Sequence, residues 1–158
     1  MKLNTGISDN HAKAIASILN TLLSDEYLLY TKTRKYHWNV EGMNFGPLHK
    51  LFENQYEELA NMIDEIAERV RQIGYYALGT MAGFLKTTRL AEDADETTTS
   101  ENMILNLLND HETIIRILRK EFEKTDEKHK DHSTGDFLVD LAKEHEKMAW
   151  MLRAHLNK

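Results

Sequence analysis

Apolar residues recur every three or four positions along most of the chain, the spacing of helices that each bury one face. From Ser8 to about Trp38 the stripe is Ala12, Ile15, Leu19, Leu22, Leu23 and Tyr30, and His37 continues the line. Ser8 or Asp9 supplies the side-chain acceptor a helix start needs. A second stripe, Leu48, Leu51, Phe52, Leu59, Met62, Ile66, Val70 and Ile73, predicts a helix over Pro47–Ile73. Proline suits the first turn, where its missing N–H has no partner to lose, and Gly74 is the next glycine or proline to follow. A third helix is predicted from Ser100 to about Lys128, through Met103, Ile104, Leu107, Leu108, Ile114, Ile115, Leu118 and Phe122. A fourth runs from Thr134 to about Leu156, with Leu138, Leu141, Met148 and Leu152 inward.

The connections set the topology. Asn39–Gly46 is short, so the second helix returns antiparallel to the first and brings His49 near His37. The link between helices two and three is long: Gly79–Leu90 holds a short helix, and Ala91–Thr98 is an acidic, threonine-rich loop. Glu127–His132 is a polar turn. Four helices with one long crossover give an all-α, ferritin-like four-helix bundle, a single domain over residues 1–158.

The face opposite the second apolar stripe carries candidate chemistry. His49 and Glu53 are four residues apart, as are Asp64 and Glu68, so each pair can converge on one ion. The two pairs cannot share an ion within one chain. Fifteen residues of helix separate His49 from Asp64, roughly 22 Å at about 1.5 Å per residue, whereas metal–ligand bonds are about 2 Å. A shared metal therefore requires a second copy. An antiparallel two-fold contact centred near Tyr56–Glu57 sets His49 of one chain beside Asp64 of the other, and its symmetry makes two identical sites.

Composition narrows the possibilities. The absence of cysteine removes disulfides, thiolate metal sites and cysteine nucleophiles. A formal net charge of −6 opposes a broad nucleic-acid surface and suits the attraction of cations. No apolar run would span a bilayer and no signal-peptide segment opens the chain, so a cytoplasmic protein without a membrane partner is expected.

The run YHWNVxGxxFxxLHxxFE starting at Tyr36, the DxxAER starting at Asp64 and the HEKMAWMLR starting at His145 strongly resemble the Dps family, the mini-ferritins. The likeness covers nearly the whole chain. It implies a four-helix bundle with a short helix in the crossover, assembled from two-fold dimers into a hollow dodecamer. It also implies oxidation of Fe(II) to Fe(III), preferably with hydrogen peroxide rather than oxygen, storage of the ferric mineral, and protection against oxidative stress. By position, the ferroxidase ligands fall on His37 and His49 of one subunit and on Asp64 and Glu68 of its mate. Glu53 takes the place of a further carboxylate near a second iron, and Trp38 that of an oxidisable neighbour. Asp131, Asp136 and Asp140 fall about where the family lines its iron-uptake pores. The Glu-x-x-His pair of larger ferritins is missing, since none of the eight histidines has a glutamate three residues before it.

Plainer readings stand beside these. Asp64 and Glu68 also fit a solvated acidic helix face, His37 the end of a core stripe, His49 plain surface, and Trp38 a packing residue at a helix end. His145 lies on the apolar line of its helix and reads as a core histidine; His11, His111, His129, His132 and His155 read as structural or surface. Two rival functions follow. Many Dps proteins bind DNA, but residues 1–7 hold one lysine and residues 157–158 another, too few cations for strong phosphate contact. A scaffold holding zinc structurally is the other, and it would lack redox chemistry.

Overall fold

A computed structural model describes residues 4–96 and 98–156; residues 1–3 and 157–158, on which the argument about cationic tails rests, lie outside the described residues. Five α-helices follow one another: α1 (Asp9–Asn39), α2 (Phe45–Gln72), α3 (Met81–Thr87), α4 (Ser100–Glu123) and α5 (His132–Ala154). The four long ones form the expected bundle, and α3 lies in the crossover against α1. Paired residues fix the directions. Tyr30 and Tyr56, like His37 and His49, face one another across α1 and α2. Arg119–Glu146 and Arg153–Glu112 tie α4 to α5. Both hairpins are antiparallel, and Lys32–Asp110 with Asn106–Tyr36 sets α4 antiparallel to α1. Hence α2 and α4 run the same way, and the crossover between them travels the length of the bundle.

The stripes named above form the core: Ile15, Leu19, Phe52, Leu59, Ile66, Val70, Leu107, Ile114, Leu138 and Leu152 are fully buried. Truncating one such residue, for instance Phe52→Ala, removes apolar contact and leaves a void, at a cost of about 3–5 kcal/mol. Helix ends follow their caps. Ser8, Thr80, Thr99 and Asp131 each accept a backbone N–H from the first turn that follows. At the end of α2, Gly74 has a φ of +91°. Its N–H reaches the Arg71 carbonyl while that of Tyr75 reaches Val70, closing the helix in the left-handed turn that glycine adopts without strain.

Three boundaries differ from expectation. Helix α2 begins at Phe45, two residues before Pro47, which still falls among the first-turn positions whose N–H has no helical partner. The third long helix reaches Lys128, but its last turn, Lys124–Lys128, is π-helical, with His129 N–H bonded back to the Lys124 carbonyl. Helix α5 starts at His132 because Asp131 provides the cap. The crossover is fastened by α1. Buried Asp25 accepts from Thr88 Oγ1 and from the Arg89 backbone and guanidinium, at 2.6–2.9 Å. Lys35 donates to the Asp93 and Asp95 carbonyls, and Tyr36 O–H to Asp93 at 2.5 Å. Burial, and next the Asp93 carboxylate, push the Tyr36 hydroxyl well above the ordinary phenol range. Among the described residues no helix is long and apolar enough to cross a membrane.

Candidate metal centre

The short loop after α1 brings its last turn against the first turn of α2, and with them the two histidines. The imidazoles of His37 and His49 stack with centroids 3.7 Å apart and planes 20° from parallel. Each Nδ1 lies 2.8 Å from the backbone carbonyl of the other residue. A carbonyl oxygen only accepts, so both Nδ1 atoms carry the hydrogen, and in each neutral ring the lone pair is on Nε2. The backbone thus selects one tautomer in both rings and leaves two Nε2 atoms to bind an electrophile, as a metal requires of its outer-shell partners.

Aromatic rings hold the pair. Phe45 stacks on His49 with centroids 5.0 Å apart, and Tyr56 meets His37 edge-on at 5.2 Å. Phe45 precedes His49 by four residues on one helix face, a relation visible only when α2 is begun before Pro47. Trp38 projects largely into solvent with the Arg34 guanidinium 5.2 Å from its ring, and the same guanidinium covers Tyr56 and Tyr30. The rings set against the candidate ligands are thus Phe45 and Tyr56 rather than Trp38, and neither stands out as such in the sequence.

Glu53 follows His49 by one helical turn. The Lys50 ammonium, bonded to this carboxylate, holds it below the usual carboxylate range against a smaller opposing effect of desolvation. Asp64 and Glu68 are exposed one turn apart farther along the unbroken α2. The structure brings His37 and His49 together, sets Glu53 one helical turn beyond His49, and leaves Asp64 and Glu68 at the distance the helix rise dictates. Among the described residues, no three or more His, Asp or Glu side chains of the single chain converge to hold a metal ion. At the start of α5, Asp136 and Asp140 are exposed, Asp140 paired with Lys143. Asp131 is buried and committed elsewhere: it caps α5 through the Thr134 N–H, accepts from Thr134 Oγ1, and pairs with Arg69.

Other proteins share this chain's pattern. Residues 16–158 match the family described as the ferritin-like domain. An uncharacterised low temperature-induced protein of Nostoc sp. is 44% identical over 98% of this chain and 87% of its own length. DNA protection during starvation protein 2 of Bacillus anthracis is 38% identical, over 92% of this chain and 99% of that protein. The crystal structure of a Dps protein from Vibrio cholerae, described as a member of a broad superfamily of ferritin-like diiron-carboxylate proteins, superposes with a TM-score of 0.92 at 30% identity, covering 99% of this chain and 98% of that one. With 92% of its sequence aligned to the Bacillus anthracis relative and its fold superposed on the Vibrio cholerae structure over 99% of its length, the chain belongs to the Dps family of ferritin-like proteins.

Proposed function

We propose that this protein is a cytoplasmic ferroxidase and iron store: it oxidises Fe(II), with hydrogen peroxide as the preferred oxidant, at sites shared between two-fold related copies, and deposits ferric mineral inside a hollow dodecamer. The observation that carries this reading is the reciprocal pairing of His37 and His49, which leaves two imidazole Nε2 lone pairs free one helical turn from the half-buried Glu53 carboxylate. Two imidazoles alone hold iron weakly. Asp64 and Glu68 of a second copy complete the set, and hard carboxylates favour Fe(III) as it forms. Two Fe(II) ions delivering one electron each reduce one peroxide fully, so no hydroxyl radical is released. That chemistry protects a cell from oxidative damage while storing iron.

Glu53 serves a second iron, and Trp38 serves as an oxidisable neighbour that intercepts stray one-electron oxidation. Asp136 and Asp140 line the uptake pore, while Asp131 anchors the start of their helix. A rival reading, direct binding of DNA, has the names of relatives in its favour, but the net charge of −6 opposes it. Retention of DNA in a gel shift at near-physiological salt would restore it. The ferroxidase reading is tested by stopped-flow Fe(II) oxidation with peroxide in His49→Ala and Asp64→Ala. Each variant is expected to lose the fast phase with its helical circular dichroism intact, and unchanged rates would overturn the assignment. A zinc scaffold is separated by the same experiment, since zinc does not change oxidation state.

A further inference from the structure

We propose that Lys50 is the metal centre's resident counter-ion: it occupies Glu53, reserves the site for one tightly held divalent cation, and admits a second only when its ammonium is displaced. The inference rests on the reading of His37, His49, Asp64 and Glu68 as one shared site.

Lys50 follows His49 directly on α2, and its ammonium is bonded to Glu53 three residues on. Glu53 in turn follows His49 by one helical turn of α2, on the same face. The second-iron carboxylate therefore already carries a cation supplied by its own chain. Counting charge shows the consequence. Metal-bound imidazoles are neutral, so the two histidines with Asp64 and Glu68 carry two negative charges, which one divalent cation cancels. Glu53 adds a third negative charge and Lys50 cancels it. A second divalent cation thus arrives where no negative charge is uncommitted, and it meets an ammonium at close range.

The same side chain is suited to leaving. Lysine carries a compact charge on a flexible stem, without the rigid fork that fixes an arginine to a carboxylate. Lys50 is well exposed, 63% of its side chain being accessible. Glu57, one turn beyond Glu53, also attracts the Lys50 ammonium, so a displaced Lys50 has another anion to move toward. The arrangement makes occupation sequential, one cation held by the shared ligands and the next admitted against Lys50.

Co(II) tests this without turnover, since it is stable to air and its visible absorption reports ligation. Titrated into the metal-free assembled protein at low ionic strength, it is expected to fill one tight site per His37–His49 pair and then a distinctly weaker one. In Lys50→Gln the second step should tighten about tenfold, equivalent to about 1.4 kcal/mol, with the first step unchanged. Lys50→Arg, whose fork holds the Glu53 carboxylate more firmly, should leave the second step at least as weak as in the wild type, and Lys50→Gln combined with Glu53→Gln should lose the gain. A second step equally weak in Lys50→Gln and wild type overturns the proposal, as do two equal steps in the wild type. A wild-type protein that binds no Co(II), or a His49→Ala variant that binds as tightly as wild type, instead fails the shared-site reading and takes this proposal with it.

Discussion

His37 and His49 meet at the loop end of the α1–α2 hairpin, and His111 and His145 meet between α4 and α5 inside the bundle. Both are pairs of imidazoles on antiparallel helices, and their surroundings give them opposite roles. At the hairpin end the backbone takes each Nδ1 and leaves each Nε2 unspent. In the core the imidazoles bond to one another and to an acid: His111 Nδ1 lies 2.9 Å from His145 Nδ1, and His145 Nε2 lies 2.9 Å from Glu26 Oε1, with all three side chains fully buried. One proton lies between the two Nδ1 atoms, and the carboxylate holds the hydrogen on His145 Nε2. An imidazole shut inside the bundle and bonded to other buried side chains specifies packing, whereas one at the rim of the bundle with an oriented, unspent nitrogen is equipped for ligation.

The same substitution in the two places should separate these roles, and its largest effect belongs to the core. His145→Leu strands the Glu26 carboxylate without its donor in a dry interior, and breaking such a buried pair costs about 3–5 kcal/mol. Urea unfolding is expected to show that loss, with Fe(II) oxidation per folded site preserved. His37→Leu should do the reverse. Loss of an outer-shell partner typically costs about 10–100-fold, so removing a ligand should slow oxidation by at least about 100-fold, while the unfolding midpoint moves little. If His145→Leu slowed oxidation at full folding, or His37→Leu unfolded the bundle, the division of labour would be wrong.

Acid should reach the core pair through stability. Burial, and next the neighbouring His145, hold His111 well below the ordinary histidine range. The unfolded chain then takes up a proton near pH 6.5 that the folded chain refuses. Stability contributed by neutral His111 is complete above that pH and is lost as pH falls toward the depressed folded value, by as much as about 1.4 kcal/mol per pH unit for one proton. His129, lowered chiefly by desolvation and then by His11, Lys128 and Lys124, adds to the same trend. Unfolding midpoints measured between pH 7 and 5 should therefore fall, and His111→Leu, less stable at neutral pH, should show a shallower decline. An equal slope in the two proteins would remove His111 as the cause.

The meeting of His37 with His49 was legible because a short loop between two helices brings their ends together, and helical periodicity states which face a residue occupies. His49, Glu53, Asp64 and Glu68 stand out on a polar face, and the helix rise alone shows that the two pairs cannot share one ion within a chain. The core network was legible only in part. Glu26, His111 and His145 each fall in register on an apolar stripe, so periodicity marks them as inward without saying that they meet; only His145 was read as a core histidine. Asp25 and Asp131 were hidden for a related reason. Both are buried, and the donors that make burial tolerable for Asp25, the Thr88 hydroxyl and Arg89, lie more than sixty residues away. Asp131 reads as an exposed acid beside a turn until Arg69 of α2 is placed against it. Phe45 was missed through a boundary, because starting α2 at Pro47 removed it from the face of His49.

Phe45 gives the smallest expected effect and the finest test of why the surface pair is ordered. The two backbone bonds fix the tautomers of His37 and His49, but an imidazole at the end of a hairpin also needs its ring plane held. Phe45 stacks on the outer side of His49 while His37 stacks close by. Phe45 itself is about half exposed, with 47% of its surface accessible. Aromatic pairs contribute about 0.5–1.5 kcal/mol beyond area burial. Phe45→Leu preserves most of the apolar bulk and removes the ring, so Co(II) affinity at the first step should weaken between about twofold and tenfold, with little change in the unfolding midpoint. A loss as large as that of His49→Ala would mean that Phe45 holds the loop itself rather than the ring. No loss at all would mean that the carbonyl bonds suffice, and that the stack is a consequence of the hairpin geometry and not a cause of the site's order.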